Sequence, residues 1–303
     1  MSIKDHYAKM GGKNSEDELV AIFVATHVKC NPPENPIYIP LHVGKYGKPD
    51  LGYIGDDTGE NISDLNPFYS ELTGLYWIWQ NVKDIDYIGM CHYRRYFINA
   101  QRKAPDKAEF LQILHEYDAV VPKHAECEHN YREHFGRAHN IRDLDAVGRA
   151  LKKLYPKYAK AYEQAMDGKV FYGGNLVVTG LPVLKDYSEW LFSILAEAGE
   201  EIDVSHYDHY RRRVFGFLSE QMFYVYSLAN GLKNCELTVG ISEEKAETQE
   251  LIDVLKKLIA ENRWMEAGAL FDSKLEKRPD LLLPGSDIHH ELGDIYDMLR
   301  KKI

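Results

Sequence analysis

Leu19 to Thr26, reading LVAIFVAT, is an unbroken apolar run of strand length, and it narrows the folds open to this chain. A strand with one wet face alternates apolar and polar residues. A run that is apolar at every position must be covered on both faces, as in the parallel sheets of α/β proteins. Two shorter runs follow the same rule, Tyr87-Ile88-Gly89-Met90 and Ala119-Val120-Val121-Pro122. Between and after them the apolar period changes to that of a helix. Phe68 to Asn81 carries Leu72, Leu75, Tyr76 and Trp79 at helical spacing, with Asn66 as its N-cap and Pro67 in its first turn. Further helices are expected at 106–116, from Leu144 to Met166 with a break near Pro156, and at 181–199 and 217–230. Val170 to Thr179 reads as a strand around Gly173-Gly174-Asn175, and Leu237-Thr238-Val239 as a short final strand.

This alternation predicts an α/β domain over residues 19–240 with a mostly parallel central sheet. Residues 28–65, with Pro32, Pro33, Pro36, Pro40 and Pro49, read as loop. Residues 1–18 read as a polar N-terminal tail. Residues 241–303 read as a small helical C-terminal appendage, with Leu251, Leu255, Leu258 and Ile259 on one face.

Charge and composition remove several function classes. The chain has 37 basic and 47 acidic residues, a net charge of −10, which argues against a nucleic-acid binder. Four cysteines without a CxxC pair exclude a disulfide framework and a cysteine-type zinc site. No signal-peptide core precedes residue 19 and no 18-residue apolar run occurs, so a cytoplasmic location is expected. GxGxxG, Walker A, HExxH and GxSxG are absent. The 21 tyrosines offer flat rings with a hydroxyl, suited to sugars and bases.

In parallel sheets ligands sit at the carboxyl ends of strands, so the residues just after the runs are the candidates. His92-Tyr93-Arg94-Arg95 is the foremost: a phosphate clamp, or else a surface turn paired with nearby acids. Asp56, Asp57 and Glu60 lie in a stretch, Asp50 to Glu71, that holds six acids and no base. They read equally as cation ligands or as a solvated loop. Asp84-Ile85-Asp86 has a DxD pattern but precedes its strand, so it reads as a polar turn. His124, His129, His134 and His139 recur every five residues; each step turns a helix by about 140°, so four ligands on one face are not expected. Glu220 is a helix-capping acid or a general base. Gly173-Gly174-Asn175 is a bulge or a place of close ligand approach.

Several stretches together resemble a known family. They are Asp57 to Ser63, Asn66 through Glu71-Leu72-Thr73-Gly74-Leu75-Tyr76-Trp77, Ile88 through His92-Tyr93-Arg94-Arg95-Tyr96-Phe97, Glu133-His134, His139, Asp143 to Asp145, Gly174-Asn175 and Val214 to Glu220. Over residues 19–240 the chain resembles the bacterial capsular and exopolysaccharide glycosyltransferases, long catalogued as a domain of unknown function. The resemblance implies a GT-A-like fold, a UDP-sugar donor (galactose, in pyranose or furanose form), and transfer to a growing surface glycan. It puts His92, Arg94 and Arg95 where other GT-A enzymes carry their DxD, and Glu220 in the place of the base. It assigns Thr26, His27, Asn61, Ser63, Asn66, Glu71, Tyr93 and Asn175 to the donor pocket, and His134, His139 and Asp143 to the acceptor side or a lid. Metal dependence stays open: Mn²⁺ or Mg²⁺ would fall to Asp56 and Asp57, or arginines would supply the charge instead.

Implied partners are the nucleotide sugar and a glycan or lipid-linked glycan acceptor, with no nucleic acid. Arg211-Arg212-Arg213 followed by Val214-Phe215-Gly216-Phe217 admits peripheral contact with the inner face of the plasma membrane. Residues 241–303 admit self-association or docking to another biosynthetic enzyme. A non-catalytic sugar-binding or assembly protein is the competing reading.

Overall fold

The computed structural model describes residues 18–241, 246–282 and 287–302. The polar tail read at 1–18 lies, up to residue 17, outside them. The chain divides into two compact units, Met1–Gly240 and Ile241–Ile303.

The first unit is built on an eight-stranded mixed sheet. Its strands are β1 Val20–Thr26, β2 Tyr38–His42, β3 Ile54–Gly55, β4 Tyr87–His92, β5 Arg95–Ile98, β6 Ala119–Pro122, β9 Val177–Gly180 and β10 Asn234–Ile241; β7 Ala125–Glu126 and β8 Val170–Phe171 form a separate ribbon. All seven residues of β1 are buried. Ala21, Phe23 and Ala25 enter one core, and Val20, Ile22 and Val24 the other, so both faces of the strand are covered. Burying one such side chain contributes roughly 1.5–3 kcal/mol. The larger core packs under α2 Leu72–Asn81, α5 Ile141–Leu154, α6 Ala159–Asp167, α7 Leu181–Gly199 and α9 Met222–Asn230; the smaller lies under α3 Lys107–Leu114.

The mostly parallel sheet predicted from the sequence is corrected to a mixed one. β1 pairs in parallel with β2 and β4, β2 with β3, and β6 with β10. β9 runs antiparallel to both β4 and β6, and β5 antiparallel to β4. Pairing continues from β4 through β5, β10, β6 and β9 back to β4, so these five strands close on themselves. Because β4 and β6 both run antiparallel to β9, the carboxyl ends of β1, β2, β3, β4, β6 and β10 all lie at one edge. That edge carries the candidate site.

Other expectations also shift. The loop read at 28–65 contains β2 and β3. Pro40 disguised β2, since a proline inside a strand removes a ladder donor. It is tolerated because β3 pairs only with Leu41 and His42 and leaves the Pro40 stretch open on that side. The strand read over 170–179 is two strands in different sheets, parted by Gly173-Gly174-Asn175. The helix read at 68–81 is two pieces, α1 Asn66–Tyr69 and α2, broken at Ser70 with φ +51°. Asn66 is not an N-cap: Leu65 holds that position, and the Asn66 amide donates to the Ser70 carbonyl and Thr73 Oγ1.

The acidic loop is pinned rather than solvated at its centre. Asp56 is fully buried, and its carboxylate accepts from the Gly44 and Lys45 amides and from the Ser63 and Thr73 hydroxyls. Trp77 Nε1 donates to the Thr58 carbonyl at 2.9 Å, and Gly74 lets α2 approach so closely that a Cβ there would stand 2.7 Å from Val43. The Thr73-Gly74-Trp77 part of the ELTGLYW segment is therefore a clamp on this loop.

In the second unit, α10 Ala246–Ala260, α11 Trp264–Lys277 and α12 Asp287–Lys302 surround a core that includes Leu251, Leu255, Phe271, Leu292 and Leu299. No helix of the described residues is long and apolar enough to cross a membrane.

A buried carboxylate stripped from four donors leaves each of them unsatisfied. Asp56→Ala is expected to lower unfolding stability by about 3 kcal/mol in urea titration. Asp57→Ala, which loses one half-exposed pair to Lys45 at 3.6 Å, is expected to change it by less than about 0.5 kcal/mol.

Candidate active site

Four segments converge at the carboxyl edge of the sheet: Glu71 at the head of α2, the β4–β5 hairpin, the Gly173-Gly174-Asn175 loop before β9, and α8 Val214–Ser219 with Glu220 after it. The hairpin turns within Tyr93-Arg94, because His92 and Arg95 already face each other in the ladder. His92-Tyr93-Arg94-Arg95 is thus a tight reversal that puts two guanidinium groups at the sheet edge.

Asn175 joins its own loop to two of the others, α2 and α8. Its Nδ2 donates to Glu71 Oε1 at 2.7 Å and to the Gly216 carbonyl at 3.1 Å, and its Oδ1 accepts from Ser219 Oγ at 2.9 Å. Asn175 sits at φ +52° directly after Gly174 at φ +90°. At Gly174 a Cβ would lie 3.3 Å from the Arg95 guanidinium, so glycine serves both the backbone turn and the approach of the arginine. Gln221, fully buried, accepts from the Tyr172 amide and donates to the Val170 carbonyl. It ties the junction of α8 and α9 to β8 and thereby fixes Glu220 beside the glycine loop.

Two carboxylates share the site and are driven apart. Burial works against ionisation of Glu71, but His92, Arg213 and the Asn175 amide outweigh it and hold this carboxyl below the usual range. His92 Nε2 stands 3.9 Å from Glu71 Oε1 and has no hydrogen-bond partner. Burial, then the nearby charge of Glu71, push Glu220 up to about 7, against the opposing pull of Arg95, the Gly174 backbone and Arg213. Two groups of one type with separated proton affinities, in one cleft, are a mark of acid–base work.

The cations gather on the β1–β2–β4 side. Burial, then Arg94, Lys48 and Arg213, lower the proton affinity of His27, whose ring meets Tyr93 edge-on at 5.5 Å. Arg94 lies over the Tyr93 ring at 4.7 Å. Arg213 donates from Nε to Ser70 Oγ at 2.8 Å and lies over Phe217 at 5.3 Å. Such a group of fixed cations suits an anion with several oxygens.

Of the residues selected from the sequence, the structure brings together Glu71, His92, Arg95, Asn175 and Glu220, with His27, Tyr93 and Arg94 beside them. It turns others to structural tasks. Thr26 is buried and exchanges hydrogen bonds with the Val28 backbone to close the end of β1. Asn61 bonds the Gly59 carbonyl and the Ser63 amide, Ser63 serves Asp56, and Asn66 ties α1 to α2. His139 lies in an aromatic group with Phe217 at 4.3 Å and Tyr210 at 6.0 Å, which borders Arg213. His134 packs on Phe171, with ring centroids 5.1 Å apart. Asp143 departs from its expected place: it is buried on α5, accepts from Tyr207 OH at 2.6 Å, and lines a separate polar cavity with Asn140, Arg149 and Glu201.

Asp56 and Asp57 do not fit a divalent cation. The first has its oxygens occupied by four protein donors, and the second pairs with Lys45. Among the described residues no three His, Cys, Asp or Glu side chains converge as metal ligands. The basic run at 211–213 is also not one surface patch. Arg211 pairs with Asp208, Arg213 turns into the site, and Phe215 is buried and stacked on Tyr69 at 4.5 Å. Arg213 and Lys48 are the residues that the sequence did not single out for this site. Only the arginine run at 211–213 hinted at the first, and nothing marked the second.

Residues 21–231 match the family model described as a domain of unknown function, DUF4422. Among solved structures the chain is similar to the apo structure of the WbbM bifunctional glycosyltransferase, at 31% identity and a TM-score of 0.70. That likeness covers 75% of this chain and 46% of the other, so the chain spans about half the length of that protein. No curated protein matches the sequence. The match of the family model, over more than half of the chain, and the likeness in fold lead to one conclusion: this chain belongs to the DUF4422 family, whose fold here is glycosyltransferase-like.

Proposed function

We propose that the chain is a GT-A-like glycosyltransferase that moves a hexose from a UDP-sugar to a hydroxyl of a growing bacterial surface glycan. Galactose, in pyranose or furanose form, is the sugar we favour, and a cytoplasmic site of action fits a nucleotide-sugar donor. The class is supported by the similarity to WbbM. The observation that carries the mechanism is Glu220, a half-buried carboxylate pushed up to about 7 and set within the field of Arg95 and Arg213.

The reaction is a direct displacement. Glu220 takes the proton of the acceptor hydroxyl as its oxygen bonds to the anomeric carbon. The bond from that carbon to the β-phosphate oxygen breaks, and UDP departs with the electron pair. Negative charge grows on the diphosphate, and Arg94, Arg95 and Arg213 are positioned to stabilise it; one fixed donor at such a place is typically worth about 3 kcal/mol. Glu71 is not a second base, since Asn175 already holds its Oε1. It keeps Asn175, and so Ser219 and Gly216, in register with Glu220.

Because the base must be ionised, transfer is expected to rise with pH through about 7 and then level off. Glu220→Gln should remove transfer while UDP still binds in a thermal-shift assay. Arg213→Ala and Arg94→Ala should weaken UDP binding, and EDTA should leave transfer unchanged. Transfer that EDTA abolishes and Mn²⁺ restores would contradict the arginine assignment.

The same carboxyl has a cost in stability. In the folded chain it keeps its proton up to about 7, whereas a free glutamate releases it near 4.5. Between those values the folded state binds more protons than the unfolded one, so stability falls as pH rises through that window. Glu220→Gln is therefore expected to stabilise the protein at pH 8, on the order of 2 kcal/mol after allowance for partial exposure, and to have no effect at pH 4.5. Thermal melts at the two pH values measure the difference.

A further inference from the structure

Glu220 also lines a cavity that the mechanism above does not use. Tyr172, Gly173, Asn175, Phe223, Tyr224 and Asn234 are among the residues around it, and among the described residues Glu220 is its only charged lining residue. No cation is among its lining residues; of the cations named at the site, Arg95 stands beside Gly174, while His27, Arg94 and Lys48 group together at the ends of β1, β2 and β4. The enclosed space is about 30 Å³, room for a single water or one hydroxyl. A ring would therefore rest at its mouth, where Tyr172, Gly173, Tyr224 and Glu220 are all half-buried.

The mouth is aromatic and rigid. The Tyr172 and Tyr224 rings stand 4.9 Å apart at 40°. Tyr224, in the first turn of α9, follows Glu220 by four residues across the junction of α8 and α9, and both line the cavity. Tyr172 is fixed at both ends. Its amide donates to Gln221 Oε1 at 3.1 Å, and its hydroxyl donates to Glu236 Oε1 at 2.5 Å. Glu236 on β10 is bonded in turn to His124 Nδ1 at 2.8 Å. Although burial opposes it, the Tyr172 and His124 bonds hold the Glu236 carboxyl below the usual range, so it stays an acceptor. Asn234, two residues earlier on the strand, has a side-chain oxygen that is buried with no hydrogen-bond partner. Such an atom is rare in a folded protein and marks a missing donor.

From this lining and the unpartnered Asn234 oxygen, and resting on the glycosyltransferase reading, we infer that the Tyr172–Tyr224 mouth is the acceptor subsite and takes an uncharged hexopyranose ring. The apolar face of the sugar lies on the two tyrosines, and one ring hydroxyl reaches Glu220. A second hydroxyl supplies the donor that Asn234 lacks. A site with aromatic walls and no cation selects a neutral sugar over a phosphorylated one. The accepting sugar thus approaches Glu220 from the Tyr172–Tyr224 mouth.

Saturation-transfer NMR with methyl α- and β-pyranosides of glucose, galactose and mannose tests this, alongside UDP binding by thermal shift on the same full-length samples. Wild type is expected to bind at least one glycoside in the millimolar range. Tyr224→Leu and Tyr172→Leu should weaken that binding at least fivefold, Tyr224→Phe should retain it, and Tyr172→Phe, freed from Glu236, should lose part of it. UDP affinity should stay within twofold throughout. If UDP binds wild type but no glycoside does, or if the leucine variants bind glycosides as wild type does, the subsite is wrong while the donor reading stands. If neither UDP nor any glycoside binds wild type, both fail together.

Discussion

The side-chain amide of Asn175 holds the candidate site in one piece. Its donors reach Glu71 on α2 and Gly216 on α8, and its acceptor takes the Ser219 hydroxyl. Three segments far apart in sequence thereby meet around one half-buried group. The arrangement also settles how two carboxylates tolerate each other. Glu71 is held ionised by its partners; at Glu220 burial and the Glu71 charge outweigh the pull of Arg95, the Gly174 backbone and Arg213, so the proton is bound more tightly. One acid is held by partners, and the other is left protonated up to about 7.

That joint is mounted on a frame with a consistent polarity. β9, antiparallel between β4 and β6, leaves six other strands ending at the same edge. Arg94, Arg95 and Arg213 gather at that edge, and a cavity lined by Tyr172, Tyr224 and no cation opens beside Glu220. Asp56 supports that edge indirectly, by fastening the segment after β2 that carries Lys45 and the turn that carries Ser63 to Thr73 of α2. A buried acid with four donors makes a stiff joint, and stiffness at the base of a cleft is what positions cations before a ligand arrives.

Much of this was legible before any coordinates. The run at β1, the helices at 181–199 and around Pro156, and the site positions Glu71, His92, Arg95, Asn175 and Glu220 all follow from the sequence and its family resemblance. The errors have physical causes. Pro40 hid a strand, because a missing donor matters only where a neighbour needs it. Asp56 looked like a cation ligand because its four donors come from Gly44, Lys45, Ser63 and Thr73, none adjacent to it in sequence. Asn66 has the chemistry of an N-cap, but the backbone enters the helix one residue earlier. Arg213 could not be told from Arg211 and Arg212, since direction along a short helical turn depends on what each side chain meets.

The sequence by itself determined which segments are buried on both faces, where the helices run, and which side chains stand at the strand ends, because these depend on local periodicity and on the handedness of the backbone. Only the tertiary structure decided the rest. It made Asp56 a structural joint, turned Arg213 inward, set Tyr172 on Glu236 across 64 residues, and raised Glu220 toward neutrality. Proton affinity and hydrogen-bond partnership depend on burial and on distances between charges, and those exist only once the chain has closed.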